Sequence, residues 1–280
     1  MPPPESAFFT TSDGVRLHYL TAGTGPALVL MPGWTMTAEL FGGQLAGLCD
    51  SFHCLALDPR GHGMSDKPTF GYRLARLAKD CLELLDHLGI EQAVLLGHSA
   101  SCAVIWSLLD TFGDDRVRAI VLCDQMIARL QRVEWTAEET RNYGAEITGD
   151  ALMQQAEVVG GPQGEAATRA FLTSMFTPDF PAERLYDVIK QSLQMPRPQA
   201  AEWLLAVSFA DFRDLLPRIR RPTLCIGGTA SHLAHAMPWL AAQIPAAELV
   251  MIETGGSHFM FLENPAEFNT AVRDFLKRVL

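Results

Sequence analysis

Three residues that each follow a short apolar segment are the best suited to chemistry in this sequence: Ser99, Asp124 and His258. A serine hydroxyl is a poor nucleophile until a base removes its proton. Histidine can be that base when a carboxylate holds its ring in one tautomer. The residues occur in the order Ser, Asp, His, which is one of the orders in which such triads are found. They therefore indicate acyl transfer through a serine nucleophile.

The residues around Ser99 are typical of a sharp turn between a buried strand and a buried helix. The apolar residues 93–96 end in Gly97, and the mostly apolar stretch 102–109, without Gly or Pro, follows the serine. Strand and helix backbones nearly touch in such a turn, so the residues two before and two after the serine must be small. Here they are Gly97 and Ser101, the second of which replaces the usual glycine.

Apolar strands alternate with helix-length connections in two parts of the chain, which predicts an α/β fold with a mostly parallel sheet and helices on both faces. The predicted strands are 8–11, 15–22, 27–31, 52–57, 93–96, 117–123, 223–226 and 249–252. Apolar residues at spacings of three and four predict helices over 72–88 and 265–279. Ligands of open parallel sheets gather at the carboxyl ends of the strands, so Trp34, Ser99, Asp124 and His258 are expected to meet at one edge.

The alternation stops between residues 125 and 217, where no apolar strand is found. Helices are predicted there around 137–146, 150–158, 166–175, 181–194 and 198–212. We therefore predict a core domain formed by residues 1–124 and 218–280, with residues 125–217 as a helical insertion on the sheet.

The composition excludes several classes of protein. The chain has 280 residues, 48% hydrophobic and 19% charged, which is enough for a substantial core. A net charge of −10 without a basic run argues against nucleic-acid and anionic-membrane partners. The six cysteines are scattered singly, which favours reduced thiols and a cytoplasmic location. Residues 1–5 lack the pattern of a signal peptide, and no apolar run is long enough to span a bilayer.

The sequence resembles the α/β-hydrolase-fold proteins of the esterase, lactonase and non-haem haloperoxidase-like group. The most specific parts of the resemblance are Pro-Gly-Trp at 32–34, the loop at 58–65, the turn around Ser99, Gly-Ser-His-Phe at 256–259 and Glu-Asn-Pro at 263–265. The resemblance covers nearly the whole chain and implies a hydrolase with a Ser-His-Asp triad. It also implies that the backbone N–H groups of Trp34 and Ala100 form an oxyanion hole. Ala100 suits this role because the first N–H groups of a helix have no intrahelical partner.

The acid departs from the family's pattern. Most members place an aspartate after the strand predicted here at 223–226, but residues 227–235 contain no carboxylate. Asp124 ends a neighbouring strand, and some members of the family keep the acid there, so we take Asp124 as the acid of the triad. Two alternatives stay open: Asp124 caps the start of the insertion, or Glu253, five residues before His258, orients the histidine.

The insertion resembles the helical cap of this family, and its large apolar side chains are expected to roof a pocket. The predicted pocket residues are His98, Met126, Trp135, Met175, Phe176, Trp203 and Phe259. Together they imply an apolar pocket with few charges and hence a small hydrophobic ester or lactone as substrate. No cofactor is expected, and no metal, because His232 and His235 have no third ligand nearby in the sequence.

Two other functions remain open from the sequence. Residues 32–34, His98, Ser99 and Asp124 also look like the cofactor-free quinolone-ring-cleaving dioxygenases, in which a His–Asp pair deprotonates the substrate before oxygen attacks it. Those enzymes carry histidines where this chain has Ala100 and Met36. A hydrolase-like receptor that binds a small molecule and a protein partner is the third possibility, and no sequence feature favours it.

Overall fold

An eight-stranded sheet forms the centre of the computed structural model, which describes residues 3–280. The strands are β1 (Glu5–Thr10), β2 (Arg16–Ala22), β3 (Ala27–Met31), β4 (His53–Leu57), β5 (Ala93–His98), β6 (Val117–Cys123), β7 (Thr223–Gly228) and β8 (Ala247–Ile252). Their order across the sheet is β1-β2-β4-β3-β5-β6-β7-β8. The β1–β2 and β2–β4 pairs are antiparallel and all other pairs are parallel. The predicted mostly parallel sheet is confirmed.

Helices cover both faces of this sheet. The described helices are α1 (Gly42–Leu48), α2 (Leu74–His87), α3 (Ala100–Phe112), α4 (Ala137–Tyr143), α5 (Gly149–Gly160), α6 (Gly164–Thr173), α7 (Ala182–Ser192), α8 (Arg197–Ser208), α9 (Met237–Gln243), α10 (Met260–Glu263) and α11 (Pro265–Val279). Side chains of a strand alternate between faces, and β5 shows the result. Leu95 packs in the cluster that contains residues of α2 and α3, whereas Val94 and Leu96 pack in the cluster that contains residues of α1 and α11.

Residues 125–217 lie between β6 and β7 and contain α4 to α8. Their β-structure consists of two isolated bridges, Ala128 with Asp211 and Leu130 with Ile147. Helix α4 ends at Tyr143, three residues before the predicted end, because Gly144 adopts the left-handed conformation that closes a helix. Helix α8 ends at Ser208 rather than at residue 212, since the chain then turns back to form the bridge at Asp211.

Contacts with the sheet fix the position of this helical segment. The indole Nε1 of Trp34, in the loop after β3, donates a 2.8 Å hydrogen bond to the carbonyl of Ala200 in α8. The hydroxyl groups of Thr35 and Ser192 lie 2.6 Å apart. The roof over the sheet is thus bonded to the loop that carries Trp34.

No helix in residues 3–280 is both long and apolar enough to cross a membrane. Met1 and Pro2, which belong to the segment where we predict no signal peptide, lie outside the described residues.

Candidate active site

Ser99 occupies the sharp turn between β5 and α3. Its backbone angles, φ 52° and ψ −128°, belong to a region that residues with a side chain rarely adopt. A Cβ atom at Gly97 would lie 2.9 Å from the amide nitrogen of Cys102, so the turn requires glycine there. Ser101 donates a 2.5 Å hydrogen bond from its hydroxyl to the carbonyl of Pro32. The serine that replaces the usual glycine therefore ties the start of α3 to the loop after β3.

Backbone strain is concentrated at the carboxyl edge of the sheet. Four non-glycine residues within 3–280 have a positive φ, and three of them follow strands that meet at this edge: Thr35, Ser99 and Asp124. Such conformations cost about 1–3 kcal/mol each and persist only where the surrounding structure enforces them. The fold thus imposes uncommon conformations where the sequence places the candidate chemistry.

The imidazole of His258 is oriented by Asp124. The His258 Nδ1 lies 2.7 Å from the Asp124 Oδ2, which leaves Nε2 as the nitrogen that can accept a proton. The Asp124 carboxylate also accepts a 2.5 Å hydrogen bond from the hydroxyl of Ser231 and a 3.4 Å bond from the amide of Gly228. Glu253, the alternative acid, is exposed after the end of β8. We refer to Ser99, His258 and Asp124 as the candidate triad.

Burial sets the protonation of this pair. Both side chains are almost inaccessible to solvent. Burial lowers the pKa of His258 to about 3, and the nearby His232 acts in the same direction. Burial also raises the pKa of Asp124 to about 6, against the lowering effect of its hydrogen bond from Ser231. At neutral pH the imidazole is therefore neutral and the carboxylate ionised, which is the state that can take a proton from a hydroxyl group.

Ser99 and His258 line one cavity together with Trp34 and Ala100, the two residues of the proposed oxyanion hole. The cavity lies between the sheet edge and the helices of residues 125–217, and its empty volume is about 660 Å³ with its open mouth included. His98, Met126, Met175 and Phe259, four of the predicted pocket residues, are also part of the lining.

His98 supports the loop that carries the candidate base. It is buried, and its Nε2 donates a 2.9 Å hydrogen bond to the carbonyl of His258. The two imidazole rings have centroids 4.7 Å apart. His98 thus helps to fix the backbone of His258 in addition to lining the cavity.

Three predicted pocket residues lie elsewhere, and for them the prediction is wrong. Trp135 packs edge-on against Tyr143 with ring centroids 4.8 Å apart, and Arg213 covers its ring. Phe176 stacks flat on Phe259 at 4.5 Å and so lies behind the lining. Trp203 is buried in the core at 2% exposure. In each case packing between elements uses the apolar surface that we expected to face a substrate.

Polar residues that the sequence did not indicate complete the lining. They are Gln125, Arg129, Glu146 and His232, which belong to irregular segments. Ser231, which donates a hydrogen bond to Asp124, also lies in an irregular segment, where the sequence gives no sign of its role. The only sequence signal for Arg129 is a charged residue between the apolar Ala128 and Leu130. No group of three or more His, Cys, Asp or Glu side chains in residues 3–280 is arranged to hold a metal ion.

The chain belongs to the α/β-hydrolase-fold family, whose model matches residues 26–265. It is 29% identical over 277 residues to 3-oxoadipate enol-lactonase 2 of Acinetobacter baylyi, with 96% of both chains covered. It is 26% identical to 2-(acetamidomethylene)succinate hydrolase of Mesorhizobium japonicum, covering 94% of this chain and 92% of the other. The crystal structure of the enol-lactonase from Burkholderia xenovorans is similar with a TM-score of 0.82 and 25% identity, over 97% of this chain and 100% of that chain.

Proposed function

We propose that this protein is a serine hydrolase that cleaves a small ester or lactone through an acyl-enzyme. One observation carries the proposal: the strained Ser99 lines the same cavity as His258, whose ring is held by a buried carboxylate. That combination supplies a nucleophile, a base and an orienting acid beside one cavity.

The proposed reaction begins when the Nε2 of His258 takes the hydroxyl proton of Ser99 while the serine oxygen attacks the carbonyl carbon. Asp124 keeps the Nδ1 proton in place and stabilises the imidazolium that forms. The backbone N–H groups of Trp34 and Ala100 stabilise the negative charge on the former carbonyl oxygen. His258 then gives its proton to the leaving alkoxide as the carbon–oxygen bond breaks. In a lactone this oxygen remains attached to the acyl chain.

Hydrolysis of the acyl-enzyme repeats the same steps with water. His258 takes a proton from the water molecule as its oxygen attacks the acyl carbon, and the bond to Ser99 breaks. The proton returns to the serine oxygen and the carboxylic acid leaves. No oxidant, metal or organic cofactor is needed for this balance.

The names of the relatives support this class of reaction. One full-length relative is an enol-lactonase and another is a hydrolase of a substituted succinate. Both names contain a dicarboxylic acid, adipate in one and succinate in the other. A lactone or ester of an acidic compound is therefore a substrate class to test first.

The test combines labelling with substrate turnover. A fluorophosphonate probe should add to Ser99, as located by mass spectrometry of the digested protein, and should abolish hydrolysis of p-nitrophenyl esters and small lactones. The same turnover measured without oxygen should be unchanged, because acyl transfer consumes only water. Turnover that consumes oxygen and stops without it would instead identify the His258–Asp124 pair as the base of an oxygenation.

A further inference from the structure

Arg129 introduces a positive charge into a largely apolar cavity. It belongs to the irregular segment after β6 and lines the cavity with Ser99 and His258. Two helices hold its guanidinium. Nη1 donates a 2.8 Å hydrogen bond to the hydroxyl of Ser208 in α8, and Nη2 donates a 2.9 Å bond to the Oε1 of Gln155 in α5. The side chain is therefore positioned by α8 and α5.

Both of these partners are neutral. A guanidinium has five N–H donors, and the bonds to Ser208 and Gln155 use two of them. Within residues 3–280 no carboxylate lies within 4.0 Å of Arg129. Burial lowers the pKa of Arg129, because water cannot fully solvate its charge, and arginine nevertheless stays protonated near neutral pH. A cation without a direct counter-ion thus lines the cavity.

The buried Arg60 shows how this chain neutralises a structural arginine. Its guanidinium donates two 2.7 Å bonds to Asp80 and two further bonds, of 3.0 and 3.2 Å, to Asp13. Every part of that charge is paired within the fold, as is usual for buried arginines. Arg129 differs because its remaining donors are not used by carboxylates of the described chain.

One acidic residue shares the lining with Arg129. The side chain of Glu146 is 39% exposed, and its Oε1 is 3.7 Å from the Nε2 of His232. It attracts Arg129 only at longer range, since the two side chains are not within ion-pair distance. Glu146 therefore softens the positive potential at Arg129 without occupying its donors.

We infer that Arg129 binds a carboxylate of the substrate, so that the protein acts on esters or lactones of dicarboxylic acids. The inference rests on the proposed function, because it assumes that the scissile carbonyl is placed at Ser99. A guanidinium matches a carboxylate in a two-bond geometry that fixes orientation as well as charge. Apolar lining residues such as Met175 and Phe171 then contact the carbon chain between the two ends. This replaces the neutral hydrophobic substrate expected from the sequence.

The test compares two ethyl esters that share the same alcohol and the same first three carbons of the acyl chain. Monoethyl succinate and ethyl butyrate differ in the end of the acyl chain, a carboxylate in one and a methyl group in the other. Proton release in a pH-stat measures their hydrolysis. The wild-type protein should have the higher kcat/KM with monoethyl succinate. Arg129→Gln should reduce that value on the order of 10- to 100-fold, mainly through KM, and should leave ethyl butyrate nearly unchanged.

Three further variants separate charge from structure. Arg129→Lys should retain part of the preference for monoethyl succinate, because lysine keeps the positive charge but lacks the two-bond geometry of the guanidinium. Glu146→Gln should act in the opposite direction to Arg129→Gln and lower the KM for monoethyl succinate. Arg132→Gln changes the net charge equally, but its side chain is 48% exposed and pairs with Asp211, so it should leave both substrates unaffected.

A binding measurement makes the inference independent of turnover. Succinate should raise the Tm of the wild-type protein by binding the folded state, and should not raise that of Arg129→Gln. Equal losses on both esters, together with a succinate shift that survives in Arg129→Gln, would overturn the inference while ester hydrolysis itself stands. Absence of hydrolysis and of labelling at Ser99, with the Arg129-dependent shift present, would instead contradict the proposed function.

Discussion

The candidate triad and a second hydrogen-bonded set of Ser, His and Asp, the Ser6–His18–Asp58 network, share one hydrogen-bond pattern in different surroundings. In this network the Nδ1 of His18 lies 2.7 Å from the Oδ2 of Asp58, and the Nε2 of His18 lies 2.9 Å from the hydroxyl of Ser6. The histidine and the aspartate are buried, as they are in the candidate triad. Residue types and distances alone therefore do not distinguish a catalytic set from a structural one.

The backbone and the neighbours make the distinction. Ser6 lies in the regular strand β1, paired with Leu20, whereas Ser99 has a strained backbone before a helix and faces a cavity. Asp58 also accepts hydrogen bonds from the amides of Ala38, at 2.7 Å, and Met64, at 2.9 Å. The Ser6–His18–Asp58 network thus connects the loop after β4 to β2 by hydrogen bonds. A serine triad therefore needs, besides its three side chains, a cavity and free N–H donors beside its nucleophile.

The largest contrast is expected at the two serines. Ser99→Ala should lower kcat for the best ester on the order of 10⁴-fold or more, because only binding and the oxyanion hole remain. Ser6→Ala should leave kcat unchanged and lower the free energy of unfolding by about 0.5–1.5 kcal/mol, the usual value of one hydrogen bond. Steady-state kinetics and denaturant unfolding of both variants measure these effects. A large loss of kcat in Ser6→Ala would remove the contrast.

The two aspartates should separate activity from stability. Asp124→Asn should lower kcat on the order of 10⁴-fold, since an amide favours the wrong tautomer of His258 and does not stabilise its charged form. Asp58→Asn should instead cost about 1–3 kcal/mol of folding free energy, because a buried acceptor of backbone N–H groups is altered. Glu253→Gln is the matched control and should change neither property. Near-normal turnover of Asp124→Asn would leave the exposed Glu253 as the acid to examine.

This contrast also shows what the sequence can predict. The predicted carboxyl ends of the strands lie within two residues of the observed ends, because the end of an apolar run is a local signal. Parallel pairing then brings most of those ends to one edge of the sheet. The position of Asp124 beside His258 agrees with the expectation from chain order. The Ser6–His18–Asp58 network carries no sequence motif, and its residues meet only through the antiparallel pairing of β2 with both β1 and β4.

The cavity lining was predicted less well than the edge of the sheet. The large apolar side chains of Trp135 and Trp203 predict pocket residues, but Trp135 packs beside Tyr143 and Trp203 is buried in the core cluster of the sheet. Arg129 and Glu146 come from irregular backbone, where no periodicity shows which way a side chain points. Which face of the helical segment at 125–217 meets the cavity is decided by tertiary contacts, such as the bond from Trp34 to α8, that the local sequence does not encode.

The pH dependence of activity should follow the buried Asp124–His258 pair. Catalysis needs the carboxylate ionised and the imidazole neutral, so kcat/KM should fall as the pH is lowered through about 6, where the raised pKa of Asp124 lies. The hydrogen bond from Ser231 lowers this pKa, so Ser231→Ala should move the acidic limb to higher pH. Profiles of kcat/KM measured from about pH 4 to about pH 9 would show the shift of the acidic limb. Ser65→Ala, which alters the surroundings of Asp58 instead, is the control and should leave the profile in place.

The smallest effect is expected at Ser101, where this chain departs from the usual glycine. Its hydroxyl bonds the carbonyl of Pro32 and so connects the helix start at Ala100 to the loop that carries Trp34. If these two residues supply the oxyanion hole, loosening their connection should weaken transition-state stabilisation without removing a donor.

Ser101→Gly should therefore lower kcat by roughly tenfold or less, in proportion to one neutral hydrogen bond, and should leave KM and labelling of Ser99 almost unchanged. Ser101→Ala keeps the Cβ but not the hydroxyl, so it separates the bond from the added flexibility of glycine. Equal kcat in wild type and both variants would mean that the turn itself holds the two N–H groups in place. The Ser6–His18–Asp58 network has no such turn, because its serine lies in a regular strand.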